Sequence, residues 1–108
     1  MIDPEEYAEL VLRCAESVPR GRVTTYGAIA IAVGDVVGGG GPRQVGNVMA
    51  RHGGPVPWWR VVRSDGTLPP SHQGEALERY REEGTPLKES GVHTRVDLAA
   101  AFAEPSLM

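Results

Sequence analysis

The sequence predicts one mainly helical α+β domain: three helices, a short β-hairpin, a fourth helix, a last strand and a terminal helix. Three observations lead there. The 108 residues suffice for a single modest core. Apolar residues recur at helical spacing in four stretches, three of them opened by a capping residue or a proline. The β-prone runs are short and bounded by turn residues. Apolar residues make up 41% and charged residues 23%, the balance of a folding chain rather than a disordered one.

DPEEYAELVLRCAESV opens the first helix, with Asp3 as cap, Pro4 in the first turn and Glu6 completing a capping-box pattern. Tyr7, Leu10, Val11, Cys14 and Val18 form its apolar stripe, which makes Cys14 a small core residue. RVTT is β-prone, and Thr25 caps a second helix, YGAIAIAV, ended by Gly34. The glycine-rich DVVGGGG has neither GK[ST] nor GxGxxG and reads as a flexible connector rather than a phosphate loop. Pro42 starts the third helix, PRQVGNVMARH, with Val45, Val48 and Met49 inward and Arg43, Gln44, Asn47 and Arg51 on the other side. WRVVR reads as a strand, SDG as a turn and TL as a return strand. QGEALERYREEG is the fourth helix, with Leu77 and Tyr80 inward. VHTRV is a last strand, and residues 98–108 make a short terminal helix and tail.

No apolar run approaches the roughly 20 residues a membrane span needs. The acidic N-terminus lacks the basic-then-apolar order of a signal peptide, so a cytoplasmic protein (bacterial-type cytosol or nucleoid-associated) is expected. One cysteine forms no internal disulfide, and His52, His72 and His93 are scattered, so no metal site and no cofactor is expected. The net charge of −3 hides an asymmetry. Between Val18 and Ser64 stand Arg20, Arg22, Arg43, Arg51, Arg60 and Arg63 against one acid, Asp35. Arginine suits bidentate contacts to phosphates and bases. Three helices followed by a hairpin is the order of a winged helix-turn-helix. The third helix would be the recognition helix, presenting Arg43 and Gln44 at its N-terminal end.

Three stretches, VPRGRVTTYGAIA, PRQVGNVMARH and PVPWWRVV, resemble the DNA-binding, C-terminal domain of the O6-alkylguanine-DNA alkyltransferases. The shared elements are G-[RK]-V-x-[ST]-Y-G, R-x-V-G-N-x-M and P-x-x-R-V-V at matching distances, and the resemblance runs from about Tyr7 to Gly84. Alkyltransferases usually carry an additional N-terminal domain, for which this chain is too short. Catalytic members read P-C-H-R-V, where the cysteine takes the alkyl group and the histidine helps remove its proton. Here Trp58 and Trp59 stand in those two places. A thiolate with a nearby base is the competent nucleophile, and indole supplies neither. The chain is therefore identified with the alkyltransferase-like, non-catalytic branch, whose members typically read P-W-H-R-V. No catalytic residue is expected.

The resemblance implies binding to double-stranded DNA with O6-alkylguanine, the damaged base being flipped into a pocket and flagged for nucleotide excision repair proteins. Arg43 would enter the stack in place of the base, Tyr26 would help rotate the target phosphate, and Asn47 would tie the recognition helix to the pocket. Gly46 would allow close approach, and Gln44 and Arg51 would contact the backbone. The pocket is expected to include Tyr26, Trp58, Arg60 and Ser71. Trp58 would wall it, while Trp59 would pack in the core on the opposite strand face. Arg60 would tie the pocket loop by hydrogen bonds, and Ser71 and His72 fall in the loop that closes over the pocket in the family. A monomer is expected. The alternative is a winged-helix, sequence-specific transcription regulator with no lesion pocket.

Overall fold

The computed structural model describes residues 3–68, 72–90 and 93–107. The helices are α1 (Pro4–Ser17), α2 (Tyr26–Val37), α3 (Pro42–His52), α4 (Gln73–Glu83) and α5 (Leu98–Ala101). The strands are β1 (Thr24–Thr25), β2 (Val61–Val62), β3 (Leu87–Ser90) and β4 (His93–Val96). The protein is a small α+β domain of helix-turn-helix type, α2 and α3 forming the turn motif.

Local chemistry sets the first helices. Asp3 accepts from the Glu5 N–H at 2.9 Å, and Thr25 Oγ1 accepts from the Ala28 N–H at 3.0 Å. Each satisfies a donor that the first helical turn leaves unpaired. Gly34 does not end α2. A single glycine costs a helix only about 1 kcal/mol relative to alanine, and Val37 beyond it packs against the core. The helix stops at Gly38, which is left-handed at φ 83° and donates to the Gly34 carbonyl at 2.7 Å. Nor is the connector featureless. Gly40 sits at φ 95°, and a Cβ there would lie 2.7 Å from the Tyr7 ring. Glycine lets the backbone rest on that ring and places the start of α3.

Two clusters form the core. The first joins α1, α2 and α3 through Tyr7, Val11, Cys14, Ile29, Val33 and Val45. The second gathers Val23, Leu68, Ala76, Tyr80, Val96 and Ala101 around α4 and the C-terminal segment. β2 is the seam. Its neighbours Val61 and Val62 are both fully buried, one in each cluster, because successive strand residues face opposite ways. β2 pairs in parallel with β1, Thr24 opposite Val61 and Thr25 opposite Val62. The C-terminal segment is sewn in by Val23 N–H to Ala101 O (3.0 Å), Ala103 N–H to Val23 O (2.8 Å) and the Arg22 guanidinium on the Ala101 and Phe102 carbonyls.

Two sequence expectations are corrected. Trp58–Arg60 is a turn of 3-10 helix rather than strand, so only Val61–Val62 of WRVVR is extended. The expected return strand at Thr67–Leu68 is absent, although the turn itself forms: Arg63 N–H donates to Thr67 O at 3.3 Å and Gly66 N–H to Arg63 O at 2.9 Å. Pro69 and Pro70 follow in the sequence and have no N–H to extend a ladder. The antiparallel hairpin is β3–β4, after α4 rather than after α3. Among the described residues no helix is long and apolar enough to cross a membrane.

Candidate nucleic-acid interface

α3 presents a polar face. Arg43, Gln44, Asn47 and Arg51 are all exposed, while Val45 is fully buried and Val48 and Met49 pack on the first cluster. The two arginines differ in meaning. Arg51 lies in the last turn, where the helix dipole favours a cation. Arg43 lies in the first turn, where the dipole disfavours one, so its presence there has no local structural reason. Gln44 has a local role: its Oε1 accepts from the Gly41 N–H at 2.9 Å and closes the start of α3. The Asn47 side chain makes no hydrogen bond among the described residues and points outward. It does not tie the helix to the cavity in this state.

Beside α3 lies a cavity of about 580 Å3, within the roughly 300–1,000 Å3 of small-molecule sites. Tyr26 from the start of α2, Arg43, Gly46 and Met49 from α3, and Trp58, Arg63 and His72 beyond it line this space. It opens where the two core clusters meet: Tyr26 packs against the first and Trp58 against the second. Burial pushes the Tyr26 phenol up, against the pull of the nearby Arg63 charge. That group is therefore a neutral hydroxyl donor at physiological pH. The His72 ring stands 6.0 Å from that of Trp58.

Of the residues expected in the pocket, Tyr26 and Trp58 line it, Arg60 does not, and Ser71 lies outside the described residues. Arg60 is drawn away by its partners. It donates to Glu83 through Nε (3.1 Å) and Nη2 (2.8 Å) and to the Val18 carbonyl through Nη1 (3.0 Å). Glu83 also accepts from Trp59 Nε1 at 3.0 Å and from the Gly21 N–H at 3.1 Å. Burial pushes the Glu83 carboxyl up, but these hydrogen bonds and the Arg60 charge outweigh it and hold it below its usual value. Tyr80 donates its hydroxyl to the Trp59 carbonyl.

The two indoles therefore part company. They meet edge to face with centroids 5.6 Å apart. Trp58 turns to the cavity. Trp59 packs against the second core cluster as a half-buried ring, with the Arg79 guanidinium carbon 4.8 Å from its centroid. Met49 was legible only as an inward residue of α3. Arg63 was legible only as one arginine of the basic stretch. Glu83, the partner of Arg60 and Trp59, lies 24 residues beyond Trp59 with no motif to flag it. Cys14 is 0% exposed in the first cluster, where burial pushes its thiol up. Among the described residues no group of His, Cys, Asp and Glu could hold a metal ion.

An exposed recognition helix bearing an outward arginine in its first turn, with a cavity at its flank, defines a helix-turn-helix DNA-binding domain with a recess large enough for a base. The model of the family described as the 6-O-methylguanine DNA methyltransferase DNA-binding domain matches residues 6–84, and the chain belongs to that family. The DNA base-flipping protein of Escherichia coli (strain K12) is 36% identical over 93 residues, covering 81% of this chain and 68% of its own length. The methylated-DNA–protein-cysteine methyltransferase of Methanothermobacter thermautotrophicus is 34% identical over 76 residues, covering 68% of this chain and 40% of its own. The crystal structure of S. pombe Atl1 in complex with damaged DNA containing O6-carboxymethylguanine superposes with a TM-score of 0.79 at 28% identity, covering 97% of this chain and 100% of that one.

Proposed function

We propose that this protein binds duplex DNA containing O6-alkylguanine, turns the damaged base into the cavity, holds it without alkyl transfer and flags the lesion for nucleotide excision repair. The observation that carries the reading is the cavity's position, walled by Trp58 and Tyr26 and bordered by Arg43 at the exposed start of α3. Flipping costs a few kcal/mol, less where alkylation has already weakened the pair. Arg43, a planar cation that stacks and donates hydrogen bonds, fills the gap left in the duplex. The Tyr26 hydroxyl turns the target phosphate, and the Trp58 indole holds the alkyl group by apolar contact. Gln44, Gly46, Asn47 and Arg51 meet the DNA along the outer face of α3. The absence of transfer is supported by Trp58 and Trp59 standing in place of cysteine and histidine, and by the burial of Cys14 away from the cavity. The names of the relatives support lesion binding: the E. coli protein is a base-flipping protein, and Atl1 was crystallised on damaged DNA.

The deciding experiment compares two short duplexes, identical but for one O6-methylguanine, at one fixed salt concentration, because phosphate contacts are salt-dependent. Tighter binding to the lesion, with labelled methyl remaining on the DNA, supports the reading. Equal affinity leaves a winged-helix regulator. A protein that holds the lesion without removing it must hand it on. The repair role predicts that losing this protein adds nothing to the alkylation sensitivity of cells already lacking excision. Such a protein works as a cytosolic monomer.

A further inference from the structure

We propose that the cavity reads the charge of the group carried on O6, and that Arg63 is the residue that sets this specificity, favouring anionic substituents such as carboxymethyl over neutral ones of the same shape. The inference rests on the lesion-binding reading above. The basic side chains that line the cavity are Arg43, Arg63 and the imidazole of His72, and among the described residues no carboxylate lines it. Arg43 belongs to α3 and leaves the cavity to plug the duplex once a base has been flipped. Arg63 stays. Its backbone is clamped in the turn after β2 by the bonds to Thr67 and Gly66. Its guanidinium makes no side-chain hydrogen bond or ion pair among the described residues. The nearest acid in sequence is already engaged: Asp65 Oδ1 accepts from the Thr67 N–H at 3.0 Å and from Thr67 Oγ1 at 2.7 Å.

The apolar walls cannot read charge in this way. Trp58, Met49 and Pro42 offer apolar contact to the methylene next to O6. The Tyr26 hydroxyl, close enough to feel the Arg63 charge, adds a neutral donor. A carboxylate at the end of a short O6 chain would meet a free guanidinium fork, which binds it through paired charge-assisted hydrogen bonds. Because Arg63 is exposed, water screens part of that attraction, so the gain falls below that of a buried charged hydrogen bond and comes to about three- to tenfold in affinity.

The test uses the full chain and four duplexes that differ only at one guanine: unmodified, O6-methyl, O6-carboxymethyl and O6-carbamoylmethyl. The last is the neutral isostere of the third. Wild-type protein should bind the carboxymethyl duplex about three- to tenfold more tightly than the carbamoylmethyl one. R63Q should weaken every complex through the loss of one positive charge but bring that ratio to about one, while R63K keeps part of it. A wild-type ratio of one, an unchanged ratio in R63Q, or an equal loss across all four duplexes would each overturn the assignment; the last would make Arg63 a phosphate contact. No preference for any lesion over the unmodified duplex would instead bring down the lesion-binding reading and this inference with it.

Discussion

Replacing Glu83 by alanine should be among the costliest single changes in this protein. The carboxylate accepts four hydrogen bonds, two from the Arg60 guanidinium, one from the Trp59 indole and one from the Gly21 amide. The Glu83 side chain is 3% exposed and that of Arg60 15%, so water does not take over when the acid is removed. Breaking a buried pair from one side leaves a desolvated charge and costs about 3–5 kcal/mol. A domain of this size is stable by about 5–15 kcal/mol in all, so the variant sits near the edge of folding. With a denaturant dependence of about 2 kcal/mol per molar, the urea midpoint should fall by about 2 M. Tryptophan fluorescence is the direct readout, since Trp58 and Trp59 are the two indoles of the chain and one of them is bonded to Glu83. E83Q restores volume and one acceptor oxygen but leaves the Arg60 charge unpaired. It should lose about 2 kcal/mol, and it keeps the test alive if E83A does not fold. Losses below about 1 kcal/mol in both variants would refute the reasoning and mean that Arg60 remains hydrated when its partner goes.

Acid should act through the same group. The Glu83 carboxyl lies below its ordinary value in the folded protein, so its stabilisation is complete above about pH 4.3 and is lost as pH falls through that value towards the lower folded one. Urea melts of E83Q and wild type should therefore converge in acid. R43A should abolish most of the preference for O6-methylguanine in a competition assay while leaving the melting temperature unchanged, because the side chain is exposed and has no structural partner among the described residues. G40A forces a left-handed alanine onto the Tyr7 ring and should cost about 1–3 kcal/mol, lowering Tm by at least about 4 °C. Gly74→Ala, in the open first turn of α4, should leave Tm unchanged or raise it. Cys14 should react with a thiol reagent only as fast as the protein opens, since its side chain is fully buried.

The elements that short-range chemistry governs were readable in the sequence. Asp3 and Thr25 cap as their types suggest, and the stripes of α1, α3 and α4 face the core as their spacing predicts. The failures lie where distant residues decide. Val37 found the first core cluster, so α2 ran past Gly34. WRVVR reads as strand from its β-prone composition, but Glu83, Val18 and Tyr80 hold its first two residues, Trp59 and Arg60, in a tight turn. The hairpin was expected too early because Thr67–Leu68 looked like a partner for β2, a partner that β1 supplies from 37 positions upstream. For the site, the outward face of α3 and the Trp58 wall were legible from pattern and resemblance. The wall formed by Arg63 was not, since nothing in a run of arginines says which one turns into a recess.

The two-residue ladder between β1 and β2 has a bearing on what the walls of the cavity can tolerate. It joins the residue before Tyr26 to the residue before Arg63, two lining residues of one recess, through main-chain atoms alone. Main-chain gauges are blind to side-chain identity. A side chain on the wall can therefore change its type without resetting the spacing of the frame that carries it.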